Sequence, residues 1–275
     1  MTSTDPPGIC IAGLLPEPLA PTEQTVRAAV EAAAAAGFAE MSAWAWLLPM
    51  MAPQGTPAGA RAALERAGMR VRMVEAAMAW ATGASDEEAR ADAANISAIA
   101  EDVGAELVMA VCLEPQISDR ARAQARLADV AERARAAGAR ACVEFLPWSA
   151  LPGLRDAWDL VAPLDDVGLI VDMWHWQRQP GGPDVDALKD VPASRVYCLQ
   201  LADAPAEAHG ELLEETMNGR LLPGDGDVDF APVVEWLSAA SPFVAPEVFN
   251  GGLVKQRGAG PLAVATYEAA RRVMR

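Results

Sequence analysis

Glu144, Asp172, Gln200 and Glu247 each close a short apolar run: ACVEF, VGLIVD, VYCLQ and VAPEV. The steps between them are 28, 28 and 47 residues. A βα unit takes about 30 residues. That rhythm would set the four side chains at the ends of successive strands, where their oxygens converge. Converging oxygens are how a hard divalent cation is held. Three carboxylates and one amide oxygen favour Mn²⁺ or Mg²⁺ over Zn²⁺, and also accommodate Co²⁺. A carboxylate directly after Val or Ile is costly to bury alone. One shared cation offsets that cost for three of them together.

Other residues could act on a substrate held there. His175 follows Asp172 by three residues in VDMWHW. It could hydrogen-bond a substrate oxygen or move a proton near neutral pH. A lone His between tryptophans is otherwise a packed core residue. His209, in APAEAHGE, reads as solvated. Arg220 lies in the Gly- and Pro-rich stretch GRLLPGDGDVDF and could clamp a hydroxyl, carboxylate or phosphate. Trp44, Trp46, Trp80, Trp148, Trp174 and Trp176 all fall just after apolar runs. As a set they suggest an aromatic wall for a sugar or cyclic polyol, with Trp44 and Trp174 as substrate contacts. Glu75 and Glu114 are weaker candidates for pocket polar groups.

The elements that position these residues follow from the apolar pattern. Strands are predicted at 8–14, 38–45, 69–77, 105–113, 139–145, 167–173, 194–201 and 243–249. Helices are predicted at 22–36, 56–67, 85–103, 118–137, 153–162, 184–189, 231–239 and 261–274. Ser85 heads SDEE, a cap signal with acids in the first turn. Gly37, Gly68, Gly104 and Gly138 mark helix stops. Alternating strands and helices without a break predict a single-domain α/β fold, a (β/α)₈ TIM barrel over 8–275, with a loose tail at 1–7. A doubly wound open sheet is the structural alternative. No GxGxxG or P-loop pattern supports a nucleotide site. Pro246 conflicts with a strand inside a closed barrel.

Composition narrows the function. The 275 residues are 52% hydrophobic and 22% charged, enough to fill a core. A net charge of −16 argues against nucleic acid as a partner. No apolar run approaches the ~20 residues of a membrane span. The opening MTSTDPPG lacks a secretion signal, so a cytoplasmic protein is expected. Cys10, Cys112, Cys142 and Cys198 show no CxxC spacing and read as buried, reduced thiols.

The segments VEFLPW, VDMWHWQR, LQLADAP, NGRLLPGDGDVDF and PEVF resemble the sugar phosphate isomerase/epimerase superfamily, the xylose isomerase-like TIM barrels. The resemblance implies that Glu144, Asp172 and Glu247 are metal-binding carboxylates. Gln200 occupies a position where many epimerases carry histidine. Other members carry glutamine there, including proteins similar to 3-dehydroshikimate dehydratases. His175 and Arg220 match substrate-binding positions of ketose 3-epimerases. In those enzymes the two metal-bound glutamates, here Glu144 and Glu247, form the acid/base pair. The endonuclease IV branch needs several histidines for a zinc cluster, and this chain has two.

Three readings follow. The first is a metal-dependent isomerase or epimerase of a sugar, ketose or cyclic polyol. The second is a dehydratase of the 3-dehydroshikimate or inosose type, motivated by Gln200. The third is a non-catalytic sugar-binding or partner subunit on the same barrel. Dimers and tetramers are common among the proteins it resembles. A homo-oligomer is therefore an open expectation, and no segment marks an interface.

Overall fold

The computed structural model describes residues 6–275; residues 1–5 of the expected tail lie outside the described residues. Eight parallel strands lie side by side in chain order: β1 (Ile9–Cys10), β2 (Glu40–Trp44), β3 (Arg70–Ala77), β4 (Leu107–Val111), β5 (Arg140–Glu144), β6 (Val167–Asp172), β7 (Val196–Leu201) and β8 (Phe243–Pro246). The Gly8 amide donates to the Val244 carbonyl at 2.8 Å and brings the last strand back to the first. Gly8 makes this approach feasible, because a Cβ there would collide with the Phe243 ring. The result is a (β/α)₈ barrel, as the alternation predicts, and its unbroken strand order rules out the doubly wound alternative.

The helices are α1 (Glu23–Ala36), α2 (Pro57–Arg66), α3 (Asp86–Val103), α4 (Arg120–Ala136), α5 (Leu154–Val161), α6 (Met173–Arg178), α7 (Ala187–Asp190), α8 (Leu212–Asn218), α9 (Ala231–Trp236), α10 (Gly251–Arg257) and α11 (Ala259–Val273). Several start or stop for a local reason. Thr22 caps α1, and Ser85 caps α3 in a reciprocal box with Glu88. The four glycines predicted as helix stops all have positive φ. Helix α1 buries Val26, Ala29, Val30 and Ala33, the i, i+3, i+4, i+7 stripe of a helix facing a core.

Every residue of β4, β6 and β7 is buried, because the strands have helices on one side and the barrel interior on the other. Met73, Met109, Cys142, Ile170, Cys198 and Ala245 fill that interior. Two residues further along a strand the side chain points the same way. Glu75, Glu144, Asp172, Gln200 and Glu247 follow five of these residues at that interval. The apolar plug therefore sets the polar residues above it, at the C-terminal mouth.

The structure departs from the sequence reading at several places. β1 is two residues long, and Ile11–Leu14 coil into a 3₁₀ turn. Helix α6 starts directly after β6, because the Asp172 side chain accepts from the His175 amide and caps it. Helix α8 occupies part of the connection after β7, the last predicted helix starts earlier as α11 at Ala259, and an unpredicted helix, α10, precedes it across Gly258. Pro246 ends β8 without disrupting a ladder. The Glu247 amide donates to Leu201 at 2.9 Å, so alternate residues of β8 face β7. Pro246 faces the other way, toward β1, where no ladder runs among the described residues.

Candidate active site

All four predicted strand-end residues meet at the mouth and are buried. Gln200 donates its amide to Glu247 Oε1 at 2.9 Å. One nitrogen of Arg220, Nη1, donates to Asp172 Oδ2 at 2.8 Å, to Glu247 Oε2 at 3.1 Å and to the Glu247 carbonyl at 3.1 Å. His175 Nε2 lies 3.5 Å from Glu144 Oε1. Glu144 Oε1, Gln200 Oε1 and His175 Nδ1 are buried without a hydrogen-bond partner. Glu75 joins this group from β3, with its own Oε1 unpartnered.

Arg220 is held by a local scaffold. Its Nε donates to the Thr216 carbonyl at 2.9 Å and its Nη2 to Thr216 Oγ1 at 2.8 Å, both on α8. The ring faces of Trp174 and Phe249 lie 5.4 and 5.0 Å from its guanidinium. Asp203, just after β7, accepts from the amides of Ala204, Gly224 and Val228 and so ties down the loop that carries Arg220. A buried ion pair joins Arg178 to Glu215 at 2.6 Å, and Glu215 also accepts from Trp174 Nε1 at 3.2 Å. Thr216, Asp203, Arg178 and Glu215 are site residues that the strand-end spacing does not pick out. Asp203 carried the available signal, an acid two residues past a strand end.

The tryptophans divide. Trp44 and Trp46 pack together, and Trp44 also meets Phe249. Trp148 and Trp174 surround His175 at 5.5 and 5.3 Å. Trp80 and Trp176 are buried core residues instead of pocket wall. Trp174 is fully buried behind His175 and Arg220. Glu114 stays half-buried, and its carbonyl lies near the Cys112 thiol. His209 is exposed, and its amide donates to Glu215.

The charges explain the site's electrostatics. Burial pushes Glu144 well above the usual carboxylate range, and the charges of Glu247 and Asp172 push it further. Burial raises Glu247 to about 8, against the pull of Arg220. Glu75 rises to about 7, again chiefly through burial. Burial alone would also raise Asp172, but Arg220 and His175 hold it below its ordinary value. His175 is driven down to about 3 by burial, so it is neutral at pH 7. Four carboxyl groups thus face one arginine.

This donor set fits a divalent cation. Glu144, Asp172 and His175 present ligand atoms within 4.8 Å of one another. Unpartnered oxygens remain on Glu144 and Gln200, and the raised carboxyls mark a shortage of positive charge. No helix among the described residues is long and apolar enough to cross a membrane.

A nearly closed ring of eight parallel strands with acids at its C-terminal mouth defines a (β/α)₈ barrel of the kind that carries its chemistry on that face. The chain belongs to the xylose isomerase-like TIM barrel family, whose model matches residues 30–273. It is similar to a 3-dehydroshikimate dehydratase of Pseudomonas aeruginosa, 36% identical over 166 residues, covering 55% of this chain. The match takes in 25% of that relative's length. Among solved structures, a fusion of a xylose isomerase-like TIM barrel with a 4-hydroxyphenylpyruvate dioxygenase aligns with a TM-score of 0.80 at 22% identity, covering 98% of this chain and 43% of that one. D-psicose 3-epimerase from Clostridium cellulolyticum H10 aligns with a TM-score of 0.69 at 16% identity, covering 89% and 91%.

Proposed function

We propose that this protein is a divalent-metal-dependent isomerase or epimerase of an uncharged sugar, ketose or cyclic polyol. One observation carries the reading: Glu144 and Glu247 are both buried, both held above the ordinary carboxylate range, and both at one mouth with a free oxygen on Glu144. Glu247, at about 8, is poised near the working pH, where a carboxyl both takes and returns a proton. Glu144, Asp172, Gln200 and Glu247 would hold the cation, with Mn²⁺ or Mg²⁺ favoured by the oxygen donors. Bound there, it would polarise a substrate carbonyl and stabilise negative charge beside it.

The chain's own residues do the rest. One glutamate removes the proton next to the carbonyl, and the other returns one. Return to the opposite face is epimerisation; return to the neighbouring carbon is isomerisation. His175 is neutral, and its unpartnered Nδ1 can hydrogen-bond a substrate hydroxyl. Arg220 fixes Asp172 and Glu247 in place. Trp44 and Glu75 offer an aromatic face and a polar contact, and Trp174 backs His175. Arg126, Arg178 and Arg220 are the buried cations among the described residues, and each is already paired with an acid. That balance favours an uncharged substrate.

A second reading has its own support. Gln200 and the similarity to the Pseudomonas dehydratase favour loss of a β-hydroxyl after the same proton removal. Incubation with ketoses, keto-inositols and 3-dehydroshikimate in deuterated water tests both. Chelator-sensitive deuterium in recovered or isomerised substrate supports the first. A new ultraviolet-absorbing enone or aromatic product supports the second. Tight polyol binding without either outcome would point to a non-catalytic binding protein.

A further inference from the structure

The barrel mouth holds a second cluster, which shares Glu247 with the site above and adds a thiol that the reaction leaves unused. Cys10 from β1, Glu75 from β3 and Glu247 just past β8 present a sulfur and two carboxylate oxygens, all within 4.8 Å of one another. Ser42, from the intervening β2, is fully buried. Its hydroxyl lies beside both Cys10 and Glu75 yet makes no well-formed hydrogen bond. Glu75 Oε1 is likewise buried without a partner. The cluster occupies the β8–β1–β2–β3 half of the mouth. Glu144, Asp172, His175 and Gln200 occupy the β5–β6–β7 half. Glu247 belongs to both.

We propose that Cys10, Glu75 and Glu247 form a second cation site, with Glu247 bridging to the first. A hydrogen bond from the thiol to Glu247 would satisfy one proton and one oxygen. It would leave the buried Glu75 Oε1 and Ser42 Oγ without a partner. A cation answers both orphans at once, taking Glu75 directly and Ser42 as a weak fourth donor. The thiol reads as an inert buried hydrophobe in sequence, and the barrel gives it two acidic neighbours.

The donor types choose the ion. A thiolate with two carboxylates suits a borderline-soft cation such as Zn²⁺ or Co²⁺, not Mg²⁺. Ligand atoms bound to zinc at about 2.0–2.3 Å lie at most about 4.5 Å apart. Small side-chain rotations would therefore close the set. On binding, the Cys10 S–H bond breaks, its electron pair forms the S–metal bond and its proton leaves to solvent. No electron is transferred.

Cobalt titration of the chelator-treated full-length protein tests the site. Two equivalents of Co²⁺ per chain are expected, one of them raising a sulfur-to-cobalt charge-transfer band. Cys10→Ala should lose the band and one equivalent and keep the other. If Cys10→Ala does not fold, Glu75→Gln should weaken the band-forming equivalent at least tenfold. A wild-type protein that binds Co²⁺ with no sulfur band overturns the proposal, as does a band that survives in Cys10→Ala. A single equivalent carrying a Cys10-dependent band upholds this site and sinks the oxygen-only one. A single equivalent without the band does the reverse.

Discussion

Arg220 reaches Asp172 across 48 residues of chain and donates to it at 2.8 Å, with both side chains all but sealed from solvent. The contact ties the end of β6 to the loop that follows β7. It also keeps Asp172 ionised where its neighbours Glu144 and Glu247 are pushed toward the neutral form.

Removing that cation should be severe. Arg220→Met leaves Asp172 and Glu247 facing each other without compensation. Breaking a buried pair from one side typically costs about 3–5 kcal/mol. Urea denaturation at pH 7 should show a loss of that size. Arg220→Lys should recover part of it, because one ammonium cannot serve Thr216 and both carboxylates together. A loss below about 1 kcal/mol would contradict the role given to Arg220.

Stability should depend on pH in a defined window. Folded Glu247 and Glu75 hold protons up to about 8 and about 7, against ordinary values of 4.5. The folded state binds more protons in that range, so stability falls as pH rises through it. His175 works in the opposite sense. Its imidazole is held down to about 3 against 6.5, so its contribution is lost as pH falls below 6.5. Between those limits, from pH 6.5 to 8, the carboxyls act alone. Chelator-treated protein should lose roughly 1–2 kcal/mol over that interval. Denaturation curves that show constant or rising stability there would refute the assignment.

Glu144→Gln and Glu247→Gln should separate activity from stability. Each removes an acid/base group, and turnover should fall by about 10²–10⁴. Each also removes a buried carboxyl that resists ionisation. The metal-free variants should therefore be more stable than wild type at pH 8, as read by thermal melts. Normal turnover in either variant would remove that glutamate from the mechanism.

A control lies at the other end of the barrel. Gly168 faces inward beneath Ile170, and a Cβ there would collide with the Tyr197 ring. Arg140 covers the same ring at 3.8 Å. Gly168→Ala should destabilise the barrel by about 1–3 kcal/mol through overpacking. Divalent cation affinity should stay within about twofold of wild type, since the mouth is untouched. Loss of affinity without loss of stability would show coupling between the two ends.

Much of the fold was legible in the chain, and the reasons are local. Apolar runs buried on both faces mark strands whatever lies around them. A polar residue two positions beyond an inward-facing one must point to the same interior, so Glu144, Asp172, Gln200 and Glu247 could be set at one mouth by counting. Helix α6 stayed hidden because Asp172 both ends a strand and caps a helix. Trp80 and Trp176 sit after strands like the other tryptophans, yet spacing does not tell a pocket wall from the helix layer. The proximity of Cys10 to Glu247 depends on closing the ring, a contact between opposite ends of the sequence. The Arg178–Glu215 pair spans 37 residues and is likewise set by packing.

The seam at Gly8 and Val244 gives this site a mechanical dimension. β1 is two residues long and no ladder pairs it with β8 among the described residues. Few backbone bonds must break for the ring to part there, so amide exchange should report its breathing before that of the central strands. Cys10 stands on one lip of the seam and Glu247 on the other. Any ligand gripping both would work as a clasp, and occupancy of the pocket and closure of the ring would become a single equilibrium.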